Sequence, residues 1–349
     1  MAEGGALLRR YTDKIRIEGS NPSLSAKAPA RKFLFLCAVA ALLNAVAVQA
    51  QFPARAVTLI VPSPQGEFAD TAARLIAGKL TEYWGRAVLV ENKPGSDGIA
   101  GADEVAKAKP DGHTLLMGDL RTQALNAALH KKLPHDPGKA FVALSLVAEL
   151  PLVLLVHPST KAQSPRELVG LVKPKMPLLK YATSGNGGPM HLAAVVFEGI
   201  ARVQFQQVSY KSEGQAIAEL IAGRVHLAFA PVHESVGHIT ARKVRALAIT
   251  SAQRSPALPR LQTIAESGFP GYESSAWIGI VGPAGMPAAT VEKIAKDVQR
   301  AVGASDLRHK LDQQGVIALG SSPAQFKSRI ERDRQRYSRI IEEKGITVP

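Results

Sequence analysis

The residue types best suited to binding chemistry lie in two short loops, each between a predicted strand and a predicted helix. The first loop spans residues 63–70; its prolines stiffen the chain, and Gly66 lets a ligand approach the backbone. The second loop spans residues 183–188, is rich in glycine and leads into the helix that contains His191. A helix start offers free N–H groups and a positive dipole end, so either loop suits a carboxylate or phosphate. Loop composition alone fits a purely structural turn equally well.

Other kinds of chemistry have weaker signals. The nine histidines show no metal-ligand spacing, and His226, His233 and His238 are interpreted as core or surface residues. Ser184 lacks the preceding glycine of a nucleophile elbow, and no His or Asp partner can be assigned to it. We therefore expect no metal, no cofactor and no nucleophilic catalysis.

Composition is typical of a soluble globular protein. The chain has 349 residues, 46% hydrophobic and 21% charged, with a formal net charge of +14. The basic residues are interleaved with acidic ones and aromatic residues make up only 5%, so no basic stripe with stacking residues indicates nucleic-acid binding. A basic protein that meets small anions is the simpler interpretation.

The N-terminus has the pattern of a signal peptide. Arg31 and Lys32 precede an apolar run over residues 33–43, and small residues continue to Ala50. We predict a signal peptide over residues 1–50, cleavage after Ala50 and release into the periplasm. A membrane anchor is the alternative, but the run is shorter than the roughly 20 residues that a spanning helix needs. Cys37, the one cysteine, lies in this run, so the mature chain would have neither disulfides nor thiol chemistry.

Short β-branched runs alternate with helical patterns from residue 56 onward, which predicts an α/β fold with a largely parallel sheet. Ser164-Pro165 and Ser322-Pro323 are typical helix starts. After Pro283 we expect two or three helices and no further strand, with the arginines of the last helix on its solvated face. The predicted strands are residues 57–61, 87–90, 114–117, 152–156, 180–182, 205–208, 225–229, 245–249 and 277–281.

Proline and glycine interrupt this alternation at residues 149–151 and 268–271, which suggests two changes of domain. The middle segment is then an inserted domain. We expect domain 1 to comprise residues 51–150 plus 277–349, and domain 2 to comprise residues 151–276.

Ten short motifs stand in the order found in one known family, although each is weak by itself. In this order and with this coverage, the chain resembles the Bug family, the TctC-like extracytoplasmic solute receptors of tripartite tricarboxylate transporters. The motifs are residues 52–57, 61–70, 90–95, 109–116, 133–137, 156–159, 184–187, 208–211, 245–250 and 282–285.

The resemblance implies a fold like that of type 2 periplasmic binding proteins, with two α/β domains joined by crossing strands and a ligand cleft between them. It implies a monomeric, non-enzymatic receptor without a cofactor, which captures a small organic acid or related metabolite for membrane transporter subunits. Backbone N–H groups and hydroxyls of the two loops would hold the solute. The candidate ligand-binding residues are Ser63, Pro64, Gln65, Gly66, Glu67, Phe68, Ala69, Asp70, Arg121, Thr122, Thr183, Ser184, Asn186, Gly187 and Gly188.

The chain departs from the family pattern in both loops. Gln65 and Glu67 stand where the family usually has proline and glycine, and Gly188 stands where it usually has threonine. Arg121 stands among usually small polar residues, and Ser212, which is followed by Glu213, stands where the family usually has glycine. These departures make a simple dicarboxylate less suitable and leave room for a solute with a cationic or hydroxyl-rich part.

Glu67 and Arg121 have two open interpretations: an exposed ion pair at the cleft rim, or direct contact with the ligand. Two other functions also stay open. One is a periplasmic enzyme that uses Glu67 as general base and Arg121 as anion clamp. The other is a receptor that reports its ligand to a membrane sensor kinase.

Overall fold

The computed structural model describes residues 52–172 and 177–348. The predicted signal peptide and Cys37 lie outside the described residues. None of the helices in the described part combines the length and apolarity that crossing a membrane requires.

The described chain alternates strands and helices, as the sequence pattern predicted. A π-helical turn (Arg121–Leu125) follows the third strand. The strands are β1 (Val57–Val61), β2 (Val88–Asn92), β3 (Thr114–Asp119), β4 (Phe141–Val156), β5 (Lys180–Thr183), β6 (Gln206–Ser209), β7 (Leu227–Pro231), β8 (Arg245–Ile249), β9 (Ser275–Pro283) and β10 (Ile317–Ala318). The helices are α1 (Phe68–Trp84), α2 (Ile99–Ala106), α3 (Asn126–Leu129), α4 (Pro165–Gly170), α5 (Pro189–Ala201), α6 (Glu213–Ile221), α7 (Val232–Thr240), α8 (Ala288–Gly303), α9 (Ser305–Gln313) and α10 (Pro323–Lys344).

The strands form a mixed arrangement in the order β2-β1-β3-β9-β4-β7-β5-β6, with β8 and β10 also paired to β4. Parallel pairs are found at its two ends, where β1 lies between β2 and β3 and β5 lies between β6 and β7. At the centre, β4 and β9 run antiparallel to their neighbours. The prediction of a largely parallel sheet is therefore wrong for the centre.

Strand β4 connects the two ends of this arrangement. Its first part pairs with β9, as in Leu150 with Ala276, whereas Leu152–Val156 pairs with β7 and β8. The sequence predicted only residues 152–156 as a strand. Residues 141–151 were not predicted as a strand because the pairing with β9 shifts between Ala143 and Ser145 and again between Leu146 and Ala148. These shifts break the alternation of inward and outward side chains. The two-residue strand β10 contradicts the expectation of no strand after Pro283, and it is too short to give a periodic signal.

Separate hydrophobic cores stabilise the two α/β domains. In the domain built on β1 to β3, one core packs against each face of the sheet; the other domain has a single large core around β5, β7 and the end of β4. Because each domain buries its own core, a cleft can lie between them without exposing either. Representative fully buried residues are Leu59 and Ile76 on one face, Ile60 and Phe326 on the other, and Phe197 and Phe229 in the second domain.

Both predicted Ser-Pro helix starts are present. The Ser164 hydroxyl oxygen accepts the Glu167 N–H (3.2 Å) at α4, and that of Ser322 accepts the Gln325 N–H (3.3 Å) at α10. Helix α10 buries its predicted apolar face but does not leave every arginine in solvent. Arg329 is only 14% exposed and pairs with Asp333 (2.6 Å), so the prediction of a wholly solvated basic face is wrong at this residue.

Candidate functional site

The loop between β1 and α1 is organised by its own residues. Gly66 has a φ of +88°, a conformation that favours glycine, and its N–H donates to Asp70 Oδ2 (2.9 Å). Arg74 Nε donates to the same oxygen (3.1 Å), and Asp70 is only 3% exposed. Asp70 therefore shapes the loop from beneath. The N-cap residue Glu67 makes no side-chain cap, so the first N–H groups of α1 receive no side-chain acceptor.

The loop between β5 and α5 likewise uses several of its polar groups internally. Thr183 is fully buried and its hydroxyl oxygen accepts from Gln207 Nε2 (3.0 Å). The Gly187 N–H donates to His191 Nδ1 (2.9 Å), and burial lowers the pKa of His191 to about 4, so the ring is neutral and can accept. Asn186 Nδ2 donates to the Thr347 carbonyl oxygen (3.2 Å). These three residues support the loop, and α5, which begins after Gly188, also lacks a side-chain cap.

Arg121 lies in the π-helical turn after β3 and has an acidic partner other than Glu67. Its Nη1 donates to Asp97 Oδ1 (2.5 Å), while Asp97 Oδ2 lies 3.2 Å from His130 Nε2. The rim ion pair between Glu67 and Arg121 that the sequence left open is not formed. The neighbouring Thr122 is buried, and its hydroxyl donates to Asp119 Oδ1 (2.7 Å).

Gly188 and Arg121, two of the departures from the family pattern, lie next to each other in the structure. A Cβ atom on Gly188 would lie 2.8 Å from Arg121 Nη2. The backbone at Gly188 is extended, with a φ of −76°, so the glycine is needed for space and not for its conformation. Gly188 thus lets the guanidinium of Arg121, from the first domain, lie against the second loop.

A cavity of about 720 Å³ lies between the domains, where both loops meet. Seven predicted site residues line it: Ser63, Gly66, Glu67, Phe68, Ala69, Arg121 and Ser184. The other eight do not: Pro64, Gln65, Asp70, Thr122, Thr183, Asn186, Gly187 and Gly188. Asn186 instead lines a separate cavity of about 570 Å³ beside the end of α10.

Helix N-termini converge on the interdomain cavity from both domains. Phe68 and Ala69 begin α1, Pro189 begins α5, Glu213 begins α6, and His233 lies in the first turn of α7. Four positive dipole ends at one cavity create a field that favours a bound anion. In the second domain β5, β6 and β7 are parallel, so the helices that follow them start at one edge of the sheet. Strand β1 runs in the opposite direction, and α1 reaches the cavity from the other domain.

Three glutamates line the same cavity; we call Glu67, Glu213 and Glu234 the cleft glutamates. Burial and the charge of Asp119 raise the pKa of Glu67. Burial, with the charges of Glu234 and Glu67, raises the pKa of Glu213 to about 7 despite the opposing effect of Arg121. Burial and Glu67 raise the pKa of Glu234. The three carboxylates therefore repel one another across the cavity.

Sequence reasoning missed Glu234 altogether and noted Glu213 only as a departure from the family pattern. Both lie in the first turn of a helix that follows a strand end, and that placement is the signal that could have found them. The sequence also did not predict that Phe68 of α1 and His233 of α7 lie together, with ring centroids 5.3 Å apart. Burial lowers the pKa of His233 to about 4, so this ring is neutral.

The family model described as "Tripartite tricarboxylate transporter family receptor" matches residues 72–346, and the chain belongs to this family. It is 34% identical to the UPF0065 protein in the tcbD-tcbE intergenic region of Pseudomonas sp., over 84% of this chain and 87% of the relative. It is 29% identical to Protein BugT of Bordetella pertussis, over 84% and 90% of the two chains. The resemblance to the Bug family is confirmed.

Solved structures agree with this assignment. A structure of an R. palustris protein with adipate is 32% identical, with a TM-score of 0.74 over 85% of this chain and all of that one. MatC from Rhodopseudomonas palustris with bound malate is 30% identical, with a TM-score of 0.70 over 83% and 100%. The periplasmic binding protein BugD has the same fold, with 27% identity and a TM-score of 0.70. The predicted fold class, two α/β domains with a ligand cleft between them, is confirmed.

Proposed function

We propose that this protein is an exported receptor that binds a small carboxylate-bearing solute between its domains. It delivers the solute unchanged to the membrane subunits of a tripartite tricarboxylate transporter. The class of solute follows the relatives, since two structural neighbours are described with adipate and with malate. The partner follows the family description.

One observation carries this proposal: the N-termini of α1 and α5, one from each domain, line a single cavity and have no side-chain caps. Phe68 and Ala69 supply unused N–H donors at the start of α1, and both helices supply positive dipole ends that bind a carboxylate. The proposed contacts are Ser63, Gly66–Ala69, Arg121 and Ser184. Asp70, Thr183, Asn186 and Gly187 hold the loops instead.

We also propose the domain division 51–150 plus 277–349 and 151–276, with a hinge where β4 and β9 cross together. Leu150 pairs with Ala276 and Pro151 with Ser275 at that point. Closure about this hinge would bring both loops onto one solute. Hydrogen exchange with bound adipate should then protect residues 63–70 and 183–188 together; protection of one loop alone would contradict the hinge.

Periplasmic location and cleavage after Ala50 belong to the same proposal. The motivation is the basic pair, the apolar run and the small residues that end at Ala50. Mass spectrometry of the exported protein should find a chain that begins at Gln51. A chain that retains Cys37 would contradict it.

Titration calorimetry with adipate and malate tests the binding function, and recovery of the ligand unchanged tests the absence of turnover. Ala69→Pro removes one N–H at the second position of α1, where the first helical turn tolerates proline. We expect at least about a tenfold loss of affinity, because hydrogen bonds to a charged group contribute roughly 1.5–3 kcal/mol.

The matched control is Ala289→Pro, at the second position of α8, where the residue is exposed and lies away from the cavity. It should bind as the unaltered chain does. Equal affinities of the two variants would show that the start of α1 does not bind the solute. If the protein consumed the bound ligand, the proposed receptor function would be wrong and the protein would be an enzyme.

A further inference from the structure

The side chains of the cleft glutamates carry charges that the carboxylate-binding function does not use. Glu67 comes from the first domain, and Glu213 and Glu234 come from the second, yet all three line one cavity. Within residues 52–172 and 177–348, none of their side chains forms a hydrogen bond or an ion pair. Asp119, the fourth acidic residue of the lining, is different, because its Oδ1 accepts from both the N–H and the hydroxyl of Thr122 (2.7 Å each).

Helix capping does not account for the cleft glutamates. An acidic residue in a first helical turn usually gains from the dipole, which would lower its pKa. Here the pKa of Glu213 rises instead, because burial and the charges of Glu234 and Glu67 outweigh the dipole and Arg121. In the ligand-free protein the three charges are thus held together at a cost to stability.

The positive groups of the lining do not neutralise these charges. Arg121 is engaged by Asp97 (2.5 Å), and His233 is neutral. Lys211 also lines the cavity, but among the described residues it forms no ion pair with a cleft glutamate. The cavity therefore combines helix starts that favour an anion with glutamates whose charges the lining does not neutralise.

Ser63 also bears on what the cavity binds. The residue lines the cavity, and its buried hydroxyl oxygen has no hydrogen-bond partner among the described residues. A buried hydroxyl without a partner is costly, and a bound polar solute would satisfy it. No three His, Cys, Asp or Glu residues of the described chain are arranged to ligate a metal ion.

We infer that the solute has a cationic group, such as an ammonium, in addition to its carboxylate, and that the cationic group lies among Glu67, Glu213 and Glu234. This inference rests on the proposed function, because the carboxylate end is placed at the starts of α1 and α5 and beside Arg121. An organic cation relieves the repulsion among the three glutamates, whereas the second carboxylate of a dicarboxylate adds to it. The substrate class is a small amino-carboxylate.

A series matched in chain length tests this inference. Dicarboxylates, ω-amino-carboxylates and diamines of four, five and six carbons differ only in the charges at their ends, as in adipate, 6-aminohexanoate and 1,6-diaminohexane. We expect titration calorimetry at pH 8 to give the amino-carboxylate at least about tenfold higher affinity than the dicarboxylate of the best-fitting length.

Glu213→Gln should weaken the amino-carboxylate about tenfold and strengthen the dicarboxylate, which reverses or abolishes the preference. Glu292→Gln makes the same change at an exposed residue of α8 and should leave both affinities unchanged. Circular dichroism would verify that both variants fold.

The two possible failures are distinguishable. If the dicarboxylates bind as tightly as the amino-carboxylates and Glu213→Gln leaves their ratio unchanged, this inference is wrong and the carboxylate receptor stands. If only the diamines bind, or if no compound of the series binds, the proposed function fails and this inference fails with it.

Discussion

Two groups of acidic residues in this molecule differ in whether the protein supplies them with hydrogen-bond and ion-pair partners. Near α10, Asp333 accepts from Trp277 Nε1 (2.8 Å) and Arg329 Nε (2.6 Å), while Glu149 pairs with Arg329 (3.5 Å) and accepts from Ser275. In the interdomain cavity, the cleft glutamates share the space with one another and have no such partners among the described residues. The first group is neutralised by the protein itself, and the second is not.

This difference separates a structural role from a binding role. The α10 group connects this helix to β4 and β9, so its satisfied charges fix the place where the two domains join. The cleft glutamates fix no element, and their mutual repulsion opposes folding. Charges that the fold does not need, and that are left at an open cavity, are available to a ligand.

The largest effect on stability is expected in the α10 group. Asp333→Ala leaves the indole N–H of Trp277 without its acceptor and the buried Arg329 with only the longer ion pair to Glu149 (3.5 Å). Removal of one partner from a buried ion pair typically costs about 3–5 kcal/mol, and we expect a loss of that size in the free energy of unfolding. Urea denaturation would measure it.

The control is Glu331→Ala on the same helix, where the side chain is 51% exposed and pairs only with Lys327 (3.8 Å). We expect it to change stability by less than about 0.5 kcal/mol. Equal losses for the two variants would show that the buried Asp333 pair stabilises the protein no more than an exposed ion pair does.

A smaller effect of opposite sign is expected in the cavity. The pKa of Glu213 is raised to about 7, so between its ordinary value and pH 7 the native chain binds a proton that the unfolded chain has released. Stability from this group therefore falls as the pH rises through that window. Glu213→Gln should raise the melting temperature of the ligand-free protein by about 2–4 °C at pH 8, and by less at pH 5.

Scanning calorimetry at the two pH values, with Glu292→Gln as the exposed counterpart, would check this. A lower melting temperature for Glu213→Gln at pH 8 would mean that the glutamate is stabilised after all, as the acids near α10 are.

The smallest effect concerns Arg121, which already has Asp97 as its partner. Gly188→Thr places a side chain where the guanidinium lies and should destabilise the protein by about 1 kcal/mol, since the tip of the arginine can shift. In the double variant Arg121→Ser/Gly188→Thr this clash is absent. A double-mutant cycle from urea denaturation should give a coupling of about 0.5–1 kcal/mol. Strict additivity would show that the two departures are independent.

The amino-acid sequence by itself determined the ends of the elements that build the site. The proline- and glycine-containing loops predict that a strand ends near Val61 and near Thr183 and that a helix begins a few residues later. The structure has α1 and α5 there. Such signals are local, because capping and turn preferences depend on residues within one or two turns of each other. The ordered motifs identified the family because they too are short local patterns of sequence.

Only the tertiary structure decided which of these residues face the cavity and which partners they have. Asp70 and Thr183 are buried: the Asp70 carboxylate accepts the Gly66 N–H, and the Thr183 hydroxyl oxygen accepts from Gln207. Arg121 pairs with Asp97 and not with Glu67. The convergence of Glu67, Glu213 and Glu234 depends on helices from different domains that start at the same cavity. Charge–charge interactions act across space between residues far apart in the chain, and no local pattern of sequence encodes that distance.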